Sequence, residues 1–273
     1  MTRRIPLWSD RYAERARAIL DGTASPAEPR DAATVILLRA TEGGPEVFLL
    51  RRVAKMAFAP GAHVFPGGSA DPSDADPDIP WTGPSAAEFG AAFGVPEDRA
   101  RALVCAAVRE TFEECGVLLA SPGELTDPSA ARQALARGDV TLADLLRDNG
   151  LELRADLLTP WARWITPDIE PRRYDTFFFV ALLADGGQRA DAGDHSEADA
   201  AAWFTPDAAL AAAREGTTLL LPPTAVCLGQ IAAGGSVSAI LSHRPAIRPL
   251  QPEVAEEDGQ IWLAIPDEVE YPL

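Results

Sequence analysis

The stretch 96–116 is the sequence feature that most constrains how this chain can fold. It opens with Pro96, Glu97 and Asp98, which suit a helical first turn because proline has no amide hydrogen to leave unbonded and acidic side chains favour the positive end of the helix dipole. Gly116 suits the left-handed residue that often ends a helix. We therefore predict one helix of about five turns between these two signals.

Two chemically different faces divide this predicted helix. With about 100° of rotation per residue, Glu110, Glu113 and Glu114 share a single arc of about 100°. An apolar stripe lies opposite and contains Val104, Val108 and Phe112. The stripe must pack against a sheet, which points the three carboxylates the other way. A lone cluster of this kind is most often a solvated acidic surface, so its function depends on the residues around it.

The remaining pattern alternates between strands and helices. Apolar, β-branched runs predict strands, and alanine- and leucine-rich runs bounded by glycine or proline predict helices. The predicted strands are 32–40, 46–53, 161–166, 174–183 and 203–204, of which the first two form a hairpin around the turn 41–45. The further helices are one or two over 127–149, then 206–215 and 222–233. Because no repeat or linker interrupts this series, we predict one α+β domain over residues 1–273.

Two regions of this domain depart from the regular pattern. Residues 69–96 are rich in Pro, Asp, Ser, Gly and Ala, so we predict an ordered insertion with little regular structure at about 75–96. From about residue 206 onward we predict a helical C-terminal extension.

Composition and charge argue against several functions. A formal net charge of −17 repels a phosphate backbone and no basic stripe is present, so we expect no nucleic-acid partner. No apolar run could cross a bilayer, and residues 1–10 do not resemble a secretory signal, so we expect a cytoplasmic protein with no membrane partner. Residues 270–273 lack the S-K-L address of peroxisomes. The three cysteines form no C-x-x-C pair, and we expect them to be reduced.

Residues on both sides of the insertion resemble one known motif. Gly68, Asp74 and the run Arg109-Glu-Thr-Phe-Glu-Glu-Cys-Gly-Val117 resemble the Nudix box, G-x5-E-x7-R-E-U-x-E-E-x-G-U, where U is apolar. Thr111 occupies one apolar position, and Asp74 stands where the family has Glu. Asp74 and Arg109 are separated by 34 residues instead of seven, an excess of 27. The resemblance is therefore to a Nudix hydrolase with an insertion inside its box.

One branch of that family, the coenzyme A diphosphatases of the Nudix motif 19 type, is known for an insertion at this place. Further segments of this chain are similar to that branch, namely 58–68, 164–167, 171–179 and 221–224. The resemblance implies the Nudix fold, in which a mixed β-sheet is sandwiched between helices, here with additional helices on the C-terminal side.

The same resemblance implies a metal-dependent enzyme. By their box positions, Glu110, Glu113 and Glu114 would bind Mg²⁺ or Mn²⁺, ions that prefer hard oxygen ligands, and the carbonyl of Gly67 would add a ligand. Arg109 would orient a helix carboxylate through a supporting salt bridge. Glu110 or Glu114 would accept the proton of the attacking water, and a loop carboxylate, Glu197, competes for this role.

The implied substrate is a small nucleoside diphosphate derivative. Coenzyme A or acyl-coenzyme A would give 3',5'-ADP and phosphopantetheine or its acyl form. Alternatives are a pyrophosphatase acting on ADP-ribose or NADH, and a non-catalytic nucleotide-binding domain. Arginine side chains can grip phosphate, whereas a purely structural reading makes them surface ion pairs. The predicted substrate contacts are Arg51, Arg52, Arg172, Arg173 and Gly68. The sequence does not determine the oligomeric state, and a homodimer is one alternative.

Overall fold

The computed structural model describes residues 3–6, 10–55, 59–121, 123, 125–184, 188–193, 198–258 and 260–273. Its first half contains β1 (Arg3–Pro6), α1 (Asp10–Leu20), β2 (Arg30–Thr41), β3 (Gly44–Arg52), β4 (Ala62–Val64), β5 (Gly67–Ser69), a 3-10 turn (Pro72–Ala75), β6 (Trp81–Thr82), α2 (Ala86–Phe93), α3 (Glu97–Cys115) and β7 (Ala120–Ser121). The second half contains α4 (Pro128–Ala136), α5 (Leu142–Asp148), β8 (Glu152–Arg154), a 3-10 turn (Ala155–Leu157), β9 (Thr159–Ile165), β10 (Tyr174–Leu182), β11 (Ala198–Phe204), α6 (Pro206–Arg214), β12 (Leu219–Leu220), α7 (Pro222–Ala233), α8 (Val237–Ser242), β13 (Pro249–Leu250), β14 (Glu253–Glu257) and β15 (Gln260–Ile265).

A mixed sheet forms the centre of the fold. Its strand order is β12-β4-β3-β2-β10-β9-β13, with β11 also paired to β3 and β5 to β2. Strands β2 and β10 run parallel from the Arg30–Tyr174 pair to the Leu38–Leu182 pair, whereas β2 and β3 form the predicted antiparallel hairpin. The smaller sheets are β1-β15-β14 and β6-β8-β7.

Both faces of the central sheet are buried. Successive residues of its middle strands point to opposite faces and are mostly apolar, so each face carries apolar side chains. Val35 and Leu37 of β2 point to one face, where α2, α3 and α5 pack. Ile36 and Leu38 point to the other, where α6, α7 and α8 pack. This arrangement confirms the predicted α+β fold with a mixed sheet between helices.

Helix α3 has the predicted bounds and orientation. It runs from Glu97 to Cys115, and Gly116 follows in the left-handed conformation with φ 73°. The predicted stripe of Val104, Val108 and Phe112 is buried, with at most 1% exposed. Neighbouring elements cover further sides of α3, so most of its residues are buried, and the acidic turn lies against β5 rather than in open solvent.

A network of ion pairs ties the first turns of α3 to the sheet. Arg99 donates to Asp31 of β2 and to Asp175 of β10, the latter over 2.7 Å. Arg163 of β9 also reaches Asp175 over 2.7 Å. Asp175 is almost fully buried, at 4% exposure, and two arginines compensate its charge, as a buried carboxylate requires.

The inserted segment is more regular than its composition indicated, so the prediction of little regular structure at 75–96 is wrong. It contains β6 and the two-turn helix α2, which begins at Ser85 with a capping box closed by Glu88. Phe89 and Phe93 of this helix are buried, and Phe93 packs on the rings of β10. The S-x-x-E pattern was the local signal for this helix. Burial of its aromatic face against the sheet stabilises it further.

The C-terminal region is only partly the predicted helical extension. Helices α6, α7 and α8 are present, but the three elements that follow them are the strands β13, β14 and β15. In the sheet β1-β15-β14, the middle strand β15 pairs with β1, which comes from the opposite end of the chain. Such pairing depends on a distant segment, which is why local periodicity did not indicate it. Across the described helices, none combines the length and apolar character needed to span a membrane.

Candidate active site

A buried ion pair joins the two halves of the split box. Arg109 on α3 donates from Nε to Asp74 Oδ1 over 3.0 Å and from Nη2 to Asp74 Oδ2 over 2.9 Å. Asp74 lies in the 3-10 turn after β5 and is fully buried, and it also accepts from the Asp71 amide over 2.8 Å. The ends of the motif are therefore in contact although 34 residues separate them in the sequence.

Arg109 also holds two of the three predicted metal ligands. Its Nη1 donates to Glu110 Oε1 over 2.9 Å and to Glu113 Oε1 over 3.2 Å. Burial raises the pKa of Glu110 to about 7, Arg109 opposes that shift, and the nearby charge of Glu113 adds to it. One guanidinium therefore compensates three carboxylates, counting Asp74, in a partly closed site.

The backbone of β5 comes very close to α3. The Gly67 amide donates to Glu114 Oε2 over 2.7 Å. A Cβ added at Gly67 would lie 2.4 Å from the carbonyl oxygen of Ala33, and one at Gly68 would lie 2.5 Å from Glu110 Oε1. Glycine is needed at both positions because any side chain would overlap β2 or fill the space beside Glu110.

The hydrogen-bond ladder also sets the direction of the Gly67 carbonyl. The Val35 amide bonds to Pro66 and the Ala70 amide bonds to Asp31. In an antiparallel ladder, hydrogen-bonded residue pairs alternate with pairs whose N–H and C=O groups point away from the partner strand. Gly67 is opposite Thr34 in a pair that is not hydrogen-bonded. Its carbonyl oxygen therefore faces the same side as its amide, the side on which Glu114 lies.

The donor set fits a hard divalent cation in kind. Three carboxylates from one turn and a half of α3 and one outward carbonyl supply only oxygen, which Mg²⁺ and Mn²⁺ prefer, and the missing Cβ of Gly68 keeps a space beside Glu110. Within the described part of the chain, no three His, Cys, Asp or Glu side chains are already gathered around one point suited to a metal. Instead, the carboxylates of Glu110 and Glu113 contact Arg109, and that of Glu114 contacts Gly67.

An apolar cavity of about 600 Å³ lies next to β5. It is on the sheet face opposite α3, and Gly67 is part of its wall. The segments 164–167, 171–179 and 221–224, which the sequence marked by their resemblance to one branch, all contribute to its lining. The lining includes Thr34, Val64, Phe65, Trp164, Ile165, Thr166, Tyr174, Thr176, Phe178, Leu219, Leu221 and Thr224. Sequence reasoning missed this cavity because its walls come from distant parts of the chain.

The predicted substrate arginines have different surroundings. Arg51 is exposed and pairs with Asp199 over 2.6 Å, Arg52 lines the cavity, and Arg172 is exposed. Arg173 is 7% exposed and donates to the carbonyls of Ala27 and Thr166 over 2.8 and 3.0 Å. Because protein acceptors hold its guanidinium, we assign Arg173 to the fold rather than to the substrate, which revises the prediction made from the sequence.

Two further residues bear on the predicted site. Glu197, the predicted loop base, lies outside the described residues. Arg132 of α4 was missed by sequence reasoning, yet its Nε donates to the carbonyl of Glu113 over 2.8 Å and its Nη1 to Asp191 over 2.6 Å. Arg132 thereby fixes the C-terminal end of α3, a task for which the sequence carried no recognisable signal.

Comparison with known families accounts for this arrangement. Residues 83–231 match the family model described as the NUDT19 Nudix domain, which covers more than half of the chain. The chain belongs to the Nudix hydrolase family. Members of this family generally use divalent metal ions.

Individual relatives agree with this assignment. The Nudix chain is 29% identical over 210 residues to the acyl-coenzyme A diphosphatase NUDT19 of Xenopus laevis, covering 60% of this chain and 54% of that protein. It is 33% identical over 188 residues to the human protein of the same name, covering 52% and 49%. The chain thus spans about half the length of these two relatives.

A solved structure supports the fold. The crystal structure of a Nudix hydrolase from Alicyclobacillus acidocaldarius superposes with a TM-score of 0.67 at 29% identity, covering 81% of this chain and 98% of that one. This similarity covers most of the chain and is therefore not confined to the box.

Proposed function

We propose that this Nudix domain hydrolyses the diphosphate of coenzyme A or acyl-coenzyme A with Mg²⁺ or Mn²⁺ as cofactor. One water is consumed, one P–O bond of the bridging anhydride breaks, and 3',5'-ADP and phosphopantetheine or its acyl form are released. The observation that carries the proposal is the carboxylate cluster beside β5, in which Glu110 and Glu113 contact Arg109 and Glu114 accepts from the Gly67 amide. Similarity to the acyl-coenzyme A diphosphatases NUDT19 supports the choice of substrate.

The metal would be held by the carboxylates of Glu110, Glu113 and Glu114 and by the carbonyl of Gly67. When bound, such an ion neutralises diphosphate charge and lowers the pKa of a coordinated water. Arg109 keeps Glu110 and Glu113 together and, through its bond to Asp74, keeps them at a constant position relative to β5. We infer that Arg109 is a positioning residue, because its donors are directed to carboxylates and to the Ser69 carbonyl.

Two carboxylates of the described site compete to accept the proton of the attacking water. Glu110 faces the space left by the absent side chain of Gly68, and Glu114 lies at the Gly67 amide. Both are close enough to β5 to act on a diphosphate lying along that strand. Glu197, which lies outside the described residues, remains a third proposed base.

Substrate phosphates need cations in a chain whose net charge is −17. Arg52 is the best placed of the predicted arginines because it lines the cavity that reaches Gly67. Arg51 would have to exchange Asp199 for phosphate, and Arg172 is exposed. We propose Arg52 as a primary contact, with Arg51 and Arg172 as outer ones.

A substrate panel with Mg²⁺ tests the proposal. Coenzyme A, octanoyl-coenzyme A, ADP-ribose and NADH are incubated separately with the protein, and the products are identified by mass spectrometry. We expect 3',5'-ADP from the two coenzyme A substrates at the highest kcat/KM. Equal or better turnover of ADP-ribose or NADH would replace the proposed substrate class, and no turnover of any of them would favour a domain that only binds nucleotides.

A further inference from the structure

The cavity beside β5 has a composition unsuited to charged ligands. Among its described lining residues only Arg52 and Glu170 are charged, and the other walls are aliphatic, aromatic or threonine side chains. Its volume of about 600 Å³ falls in the range of small-molecule sites, which is roughly 300–1,000 Å³. The cavity therefore fits the uncharged part of a substrate whose phosphates contact Arg52, the one cation of its described lining.

Proline residues remove backbone hydrogen-bond donors from part of the cavity wall. Five prolines contribute to the lining, including the Pro222–Pro223 pair that opens α7 and Pro167 after β9. Proline has no backbone N–H, so these five positions offer no backbone donor to a purine base or a sugar. An aliphatic chain needs no donors, and it can contact such walls along its whole length.

The exposure of one lining residue agrees with an aliphatic occupant. Leu219 belongs to the lining and is 53% exposed. An exposed leucine at a cavity is a suitable entry for an apolar chain.

The position of the cavity connects it to the hydrolytic centre. Gly67 belongs to the cavity wall and also bonds Glu114 on the other side of β5. A ligand in the cavity would thus lie one strand away from the carboxylates that hold the proposed metal. We infer that this cavity binds the acyl-bearing arm of the substrate and selects acyl chain length, an inference that rests on the proposed coenzyme A diphosphatase activity.

Variants at the floor and the entry of the cavity test this inference. Thr176→Phe places a bulky ring in the cavity from β10, where aromatic residues are favoured in strands, and Leu219→Asp makes the entry polar. Leu20→Asp is the matched control, because Leu20 is 46% exposed on α1 and is not part of the cavity lining. The kcat/KM of each protein is measured with coenzyme A, acetyl-coenzyme A and octanoyl-coenzyme A, and circular dichroism checks folding.

In the unaltered protein, kcat/KM should rise with chain length by up to about fourfold per buried methylene. Thr176→Phe should lower the ratio of octanoyl-coenzyme A to coenzyme A turnover at least tenfold, Leu219→Asp should lower it several-fold, and Leu20→Asp should leave it unchanged. If Thr176→Phe lowered kcat/KM equally for coenzyme A and octanoyl-coenzyme A, the cavity would bind the part that these substrates share. If the ratio of the two kcat/KM values did not change, the cavity would have no role in selecting the acyl chain. Either result overturns the inference.

Calorimetric binding in a chelator separates this inference from the proposed activity. If neither coenzyme A nor its acyl form is cleaved, the proposed function fails, yet tighter binding of octanoyl-coenzyme A than of coenzyme A, lost in Thr176→Phe, would still support the cavity. Equal affinities for the two ligands would overturn the cavity assignment on their own.

Discussion

Arg109 carries more of the site's electrostatic balance than any other described residue. It is almost fully buried and contacts Asp74, Glu110 and Glu113, so it compensates charges that would otherwise repel one another at close range. Like charges three and four residues apart destabilise a helix, and a buried uncompensated carboxylate costs more. The arrangement is therefore stable only while a cation remains among these oxygens.

At this scale we predict that Glu113→Gln lowers kcat at least about 100-fold, the order seen when one preorganised electrostatic contact is removed. The change keeps the size of the side chain, so stability should change little. Glu97→Gln is the matched control, since it makes the same replacement at an exposed position of the same helix. Steady-state rates in Mg²⁺ and denaturation curves measure both effects, and an undiminished rate in Glu113→Gln would contradict the metal assignment.

Strand β5 and helix α2 show how short elements support the long helix. β5 is only three residues long, but its two glycines let its backbone approach α3 and β2 together. α2, which lies inside the box in sequence, covers another part of α3 and of the sheet with Phe89 and Phe93. Each element contributes through its fit to α3 rather than through its own length.

We expect the two glycines of β5 to differ when each is changed to alanine. In Gly67→Ala the new Cβ meets the backbone of β2, so unfolding free energy should fall by about 1–3 kcal/mol. In Gly68→Ala the Cβ meets only the end of the Glu110 side chain, so activity should fall more than stability. Gly43→Ala is the control, because its Cβ would meet nothing closer than 3.7 Å. Equal stability losses for Gly67→Ala and Gly68→Ala would contradict this account.

The inserted helix should behave as part of the core. Phe93 is 1% exposed and its ring centroid lies 5.1 Å from those of Phe177 and Phe179. Phe93→Ala should lower the free energy of unfolding by about 3–5 kcal/mol in urea titrations. Ala92→Ser, at an exposed position of α2, should change it by less than about 0.5 kcal/mol. A small loss in Phe93→Ala would show that α2 packs only loosely on the sheet.

At the scale of the whole molecule, the site and its cavity are assembled from segments far apart in the chain. The central sheet brings β5 beside β2, α3 packs on one face, and the residues around Trp164, Thr176 and Pro222 line the cavity on the other. Both faces are covered by helices, so the core is continuous enough to bury all three cysteines.

That burial predicts the reactivity of the thiols. Burial raises the pKa of Cys105 and of Cys115 to about 12, and it also raises the pKa of Cys227. At pH 8 only about one thiol in 10⁴ would be ionised at a pKa near 12, and the thiolate is the reactive form. A disulfide-exchange reagent should therefore label no cysteine of the native protein between pH 7 and 9 and all three in guanidinium chloride. Rapid labelling of one cysteine in the native protein would contradict the buried core.

The parts of this protein that its sequence determined are those governed by neighbouring residues. The bounds of α3, its buried stripe, the common face of Glu110, Glu113 and Glu114 and the β2–β3 hairpin follow from helix caps, the 3.6-residue period and turn composition. The box also placed Asp74 and Arg109 in one motif, although residues 75–108 lie between them, but it did not indicate the ion pair that these two residues form.

Only the tertiary structure decided the rest. Helix α2 depends on a place on the sheet for its aromatic face, β15 depends on pairing with β1, and the cavity depends on walls from three distant segments. Nothing in the sequence around Arg173 and Arg132 indicates what these side chains bind. Their acceptors, the carbonyls of Ala27 and Glu113, come within reach only when the chain folds. Long-range packing and hydrogen bonding set these features, and no local pattern contains that information.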